Sequence, residues 1–180
     1  MRKILFVLGE LHDSDLQWMI DAGTIHDAAE GEVLIEEGVP NKRLLIVIDG
    51  EVSVRKKALA GAEISRLGIG EMAGDISLLD SRPSTATLQA VGATRVFVIE
   101  HPALLGKMER DTGFAARFYR AVGIFLADRL QRAEAMAAAA SGAAASEDGD
   151  DGDELSPELM DSVSLSGARF LSFLSRLEDA

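Results

Sequence analysis

The sequence predicts a mainly β domain with flanking helices: a β-roll or jelly roll followed by a long C-terminal helix. Three observations lead there. Between residues 33 and 99, strand-like runs alternate with turn signals at roughly the eight- to twelve-residue spacing of small barrels and jelly rolls. From Thr112 to Met136, the residues Phe114, Phe118, Val122, Phe125, Leu126 and Leu130 recur mostly at three- or four-residue spacings, the stripe of an amphipathic helix. The 180 residues, 47% of them apolar, suffice for one ordinary domain with a packed core plus appendages.

At the N-terminus an apolar run, Ile4 to Leu8, ends before Glu10 and Asp13, far short of a bilayer span and without a cleavage site; it reads as a strand or ordered arm of a cytoplasmic protein. Asp13–Ala22 is expected to be a short helix capped by Asp13 or Ser14, with Leu16, Met19 and Ile20 on one face and Trp18 as a packing residue. The strand runs are Val33–Ile35, Arg43–Ile48, Glu51–Lys56, Ala62–Leu67, Thr85–Val91 and Arg95–Ile99. Glu36 to Asn41 is expected to close one hairpin and Asp49-Gly50 another. Glu100-His101-Pro102 opens a helix with proline in its first turn, and Leu104, Leu105 and Met108 form its apolar face. The long helix from Thr112 to Met136 follows. Its stripe exceeds what a small roll needs to cover, so it either pairs two copies or folds back on its own domain.

Beyond residue 136 the composition changes. Residues 137–154 are alanine-rich and then acidic (EDGDDGDE), the composition of a flexible linker that buries too little to fold. Its aspartates lack the spacing and distal glutamate of an EF-hand. Residues 155–180 regain apolar character: Ser156-Pro157-Glu158 opens a short amphipathic helix, and Phe170, Phe173, Leu174 and Leu177 form a patch suited to docking in a groove, on a partner protein or on its own domain. Only two arginines accompany it, too few for a membrane-surface helix.

The stretch with chemical content is Arg66 to Ala90, RLGIGEMAGDISLLDSRPSTATLQA. Gly68, Gly70 and Gly74 punctuate it, and at Gly74 the absence of a Cβ permits close backbone approach to a ligand. The amides at Asp75, Ile76 and Ser77 open a helix-like turn where an anion is favoured. Glycine-rich turns of this kind also serve as plain structural loops. The pattern G-E-M-A-G-D-I-S-L-L-D-S-R-P-S-T-A-T resembles the phosphate-binding cassette of the cyclic nucleotide-binding domain family, which includes catabolite activator proteins and protein kinase A regulatory subunits. Gly31 to Gly38 and Asp49-Gly50-Glu51-Val52 resemble further family positions, so the likeness covers about Leu16 to Arg132.

The resemblance implies a cyclic nucleotide-binding-like domain over residues 1–136, with cAMP or cGMP as the candidate ligand. The implied ligand residues are Gly74, Asp75, Ile76, Ser77, Ser84 and Thr85, with Arg82 as a displaced cation. Two positions depart from the pattern. Asp75 stands where the family has the ribose-binding glutamate, and Ser84 where it has the arginine that pairs with the cyclic phosphate. Losing a charge-assisted pair of that kind costs about 1.5–3 kcal/mol, or roughly ten- to a hundredfold in affinity, which argues against ordinary high-affinity cAMP binding. In the family the long helix caps the nucleotide and pairs with its copy, so the resemblance implies a homodimer through Phe118, Val122, Phe125, Leu126 and Leu130.

Other classes fit poorly. The net charge of −12, still −6 without the six acids of Glu147 to Glu154, argues against nucleic acid as a partner. There is no cysteine, and His12, His26 and His101 fall in dissimilar positions, so neither a metal site nor a catalytic set assembles. The last 40 or so residues are too small and too acidic for a helix-turn-helix. The expectation is a non-enzymatic regulatory module whose tail docks on a protein partner; the alternative is a ligand-independent dimeric scaffold with a vestigial pocket.

Overall fold

The computed structural model describes residues 10–140 and 172–177. The expected N-terminal arm, residues 141–154 of the linker, the start of the tail and Phe170 lie outside them. The chain contains α1 (Asp13–Ala22), β1 (Thr24–Ala28), β2 (Val33–Ile35), β3 (Arg43–Asp49), β4 (Val52–Lys56), a 3-10 turn, β5 (Ala62–Leu67) and β6 (Met72–Ala73). Then come α2 (Asp75–Asp80), β7 (Thr87–Ala90), β8 (Thr94–Glu100), α3 (His101–Arg110) and α4 (Thr112–Ala140). A further helical turn and a half, α5, spans residues 172–177.

The strands form two antiparallel four-stranded sheets, ordered β1-β8-β3-β6 and β2-β7-β4-β5. Each alternate residue of β3 and β8 serves a different core. Leu45, Val47, Val96 and Val98 point between the sheets, against Leu34, Val52, Val54 and Leu88. Leu44, Ile46, Phe97 and Ile99 point the other way, under the helices. Both strands are therefore apolar on both faces, which is why Arg43–Asp49 reads as a continuous apolar run rather than an alternation. By contrast β5 is an edge strand exposed along nearly its whole length, with Glu63 and Arg66 on it.

Two turn expectations are corrected. Residues 36–41 do not close a hairpin, because β2 pairs with β7 and β3 with β8. Nor does Asp49-Gly50, since β4 pairs with β5 and β7 and not with β3. Both connections carry the chain from one sheet to the other. Gly50 still needs its glycine: φ is +78°, and a Cβ would lie 2.7 Å from the Ala93 carbonyl oxygen.

The helices cover the outer face of the first sheet. The N-cap of α1 is His12 instead of Asp13 or Ser14, because Asp15 reaches back to accept the His12 backbone N–H at 2.9 Å. Asp15 is buried and also accepts two bonds from Arg117 of α4, at 2.7 and 3.0 Å. Trp18 packs edge-on against Phe114 at 5.3 Å, with the Lys107 ammonium over both rings. Helix α4 runs on to Ala140, so Ala137–Ala140, expected in the linker, continue the helix, as alanine's high helix propensity favours.

The stripe of α4 folds back on its own domain over its first half. Phe118, Val122 and Phe125 are buried in the helix-side core, which leaves them unavailable to pair two copies in this conformation. Leu126 packs at the edge of that core, and Leu130 is 60% exposed. In α5, Phe173 and Leu177 are buried and Leu174 half-buried against the same core, so the described part of the tail seats on its own chain. No helix among the described residues is long and apolar enough to cross a membrane.

Candidate functional site

A cleft opens on the second sheet where α2 and the loop to β7 meet it. Its floor is apolar, built from Ile35, Val54 and Leu88, which the β2-β7-β4 pairing brings side by side. One wall is the start of α2, Gly74 to Ser77; the other is Pro83, Ser84 and Thr85. Six of the seven ligand residues expected from sequence thus converge. The seventh, Arg82, does not line the cleft: its exposed guanidinium pairs with Asp80, whose carboxyl is held below its ordinary range by the Arg82 backbone N–H and side chain.

Gly74 adopts φ +89°, and a Cβ there would lie 2.1 Å from the Arg43 carbonyl oxygen. The glycine is demanded by α2 lying directly against the start of β3. Asp75 follows as the first residue of α2, 2% exposed and facing the cleft, with Ser77 buried beside it. The sharp turn at Gly74 is what brings a carboxylate this close to an apolar floor.

Ser84 is held from three directions. Its backbone N–H donates to Val39 at 3.1 Å, its carbonyl accepts the Gly38 N–H at 2.8 Å, and its hydroxyl donates to the Ala86 carbonyl at 2.8 Å. A hydroxyl whose one proton is committed to a carbonyl offers an incoming anion only lone pairs. Among the described residues no lysine or arginine lines the cleft, and Asp75 gives it a carboxylate. The cavity measures about 60 Å³, against roughly 300–1,000 Å³ for ordinary small-molecule pockets.

Sequence reasoning missed one group beside the site. His101 is buried at the start of α3, its backbone N–H donating to Lys42 at 2.7 Å, and its Nε2 has no hydrogen-bond partner among the described residues. Burial holds its imidazole below the ordinary histidine range, partly offset by the Arg43 backbone, Glu100 and the Gly74 backbone. A lone histidine before a proline gives no signal of that environment. No cluster of histidine and carboxylate ligands that could hold a metal occurs among the described residues.

The comparisons agree with this architecture. Residues 25–111 match the family model described as "Cyclic nucleotide-binding domain". A cAMP-dependent protein kinase regulatory subunit of Mycosarcoma maydis is 32% identical over 75 residues, 41% of this chain and 14% of that protein. A CRP-like cAMP-activated global transcriptional regulator of Mycobacterium tuberculosis is 30% identical over 80 residues, 43% of this chain and 36% of that protein. The similarity thus spans well under half of either relative's length. Among solved structures, a cyclic nucleotide-binding domain from Methylobacillus flagellatus superposes with a TM-score of 0.66 at 22% identity, covering 72% of this chain and 78% of that one. The Thermus thermophilus catabolite activator protein gives 0.61 at 22%, covering 73% and 61%. The fold is a jelly roll like that of these solved structures, and residues 25–111 match the cyclic nucleotide-binding domain model.

Proposed function

We propose that the chain is a non-enzymatic, cytoplasmic regulatory module. Its cleft takes a cyclic nucleotide, cAMP or cGMP, more weakly than an arginine-bearing site would. The observation that carries this reading is the cleft's frame around two altered positions: Asp75, a shorter carboxylate buried at the cleft wall with Thr85 opposite, and a serine whose hydroxyl is spent on Ala86 where a cation would meet the phosphate. That two similar proteins are a cAMP-dependent kinase regulatory subunit and a cAMP-activated regulator supports the ligand class. Calorimetry with cAMP and cGMP tests it. Heat is expected at millimolar nucleotide, and Ser84→Arg is expected to gain roughly ten- to a hundredfold in affinity; no heat from either protein sinks the sensor reading.

A second reading, a dimeric scaffold that needs no ligand, is favoured by the narrow cavity and the absence of a cation from its lining among the described residues. Both readings include a homodimer, but through a stripe revised from the sequence expectation. Tyr119, Leu126 and Leu130 share one face of α4; Tyr119 is 46% and Leu130 60% exposed. Residues 1–136 would then be the sensing unit and residues 155–180 the part that addresses another protein. With Phe173 and Leu177 buried on their own domain, that step requires the tail to leave its seat.

A further inference from the structure

We infer that α5 is a detachable strap: seated on its own chain, it closes an apolar groove on the first sheet and keeps both the groove and its own side chains from any other protein. This rests on the tail-directed output proposed above and supplies its autoinhibitory contact. The groove is made by Ile25 of β1, Ile48 of β3 and Phe97 of β8. Phe173 meets the Phe97 ring edge-on at 5.2 Å, and Arg176 hydrogen-bonds Gln17 of α1. Phe97 is fixed from behind, since a Cβ on Gly23 would lie 2.1 Å from its ring. The receiving surface is therefore rigid, and the strap is the part free to leave.

Three features make the strap separable. A helix of six residues does not persist in water, so α5 owes its form to its seat. The entropy of ordering those residues opposes the burial of Phe173 and Leu177, which weakens the seat. The seam is also loosely filled, with a cavity of about 200 Å³ between Leu174, Leu177 and the sheet residues Ile25, Ile48, Asp49 and Arg95. Residues 141–171 reach about 100 Å when fully extended, so the chain length permits cis seating. Covalent attachment then gives α5 an advantage over any free competitor.

Because the chain has no cysteine, the test is direct on the full-length protein. Ile25→Cys with Leu174→Cys, treated with a short bismaleimide, is expected to give a monomer-mass internal cross-link at every protein concentration. Dimer-mass product would mean that the groove holds a second copy's tail, and no product would mean that it is empty; either overturns the cis strap. Phe173→Ala with Leu177→Ala is expected to raise fluorescence of the apolar dye ANS several-fold and to bring the 172–177 amides to coil exchange rates, while β3 and β8 stay protected. Loss of β3 and β8 protection would show α5 to be an inseparable part of the core, and unchanged ANS would show no groove beneath it. No arm involves nucleotide, so failure here is distinct from failure of the sensor reading.

Discussion

A β-carbon at position 74 would collide with the Arg43 carbonyl in a backbone already at φ +89°. Left-handed strain of roughly 1–2 kcal/mol and overpacking of roughly 1–3 kcal/mol both apply, so Gly74→Ala is expected to lower stability by about 2–5 kcal/mol in urea unfolding. An unchanged midpoint would mean that α2 does not sit where it is placed here. His101 carries a pH consequence. Its folded pKa lies below the ordinary 6.5, so the unfolded chain takes up the proton first. The contribution of neutral His101 is complete above about pH 6.5 and is lost as pH falls from there through the folded value; melting temperature should decline over that window, and less so in His101→Gln. At this scale the sequence is legible for identity and not for surroundings. Ser84 could be read as a missing arginine, but nothing in its neighbours announces that its hydroxyl is committed to Ala86.

Helix α4 turns two faces to two tasks. Phe118→Ala should cost about 3–5 kcal/mol, the usual penalty for emptying a buried aromatic site. Leu130→Asp should leave unfolding unchanged while shifting sedimentation from dimer to monomer; a monomeric wild-type protein would remove the dimer from both functional readings. The spacing that announced α4 could not say which face turned inward, because the stripe is wide enough for both. Its tie to α1 is the Asp15–Arg117 pair: burial would raise the Asp15 pKa, but the Arg117 bonds and the His12 N–H outweigh it and hold it below the usual carboxylate range. That stabilisation is present above about pH 3.8 and lost as pH falls through the folded value. Arg117→Ala leaves the buried carboxylate without this partner and is expected to raise the Asp15 pKa and lower the melting temperature, read by NMR titration and thermal unfolding.

Across the whole molecule, strand existence was more legible than strand partnership. All six expected runs begin and end within two residues of β2, β3, β4, β5, β7 and β8, yet both expected hairpins are crossings between sheets. Turn chemistry specifies a reversal of direction, whereas the sheet a strand joins is decided by distant partners such as Phe97 opposite Ile46. Strand β1, with its mixed TIHDA pattern, and the two-residue β6 carry too little periodicity to be seen at all. Since β3 and β8 are enclosed by two cores, their amides should be the slowest to exchange in the protein.

The last buried side chain of α4 described here is Phe125, yet the helix continues to Ala140. Those 15 further residues span about 22 Å along the helix axis. They act as a lever: a tilt of about 10° at Phe125 sweeps the tip through about 4 Å, a step that a spin label at Ala140 resolves. A shift too small to see at the cleft would therefore be magnified at the far end of the arm, where the connection to α5 begins.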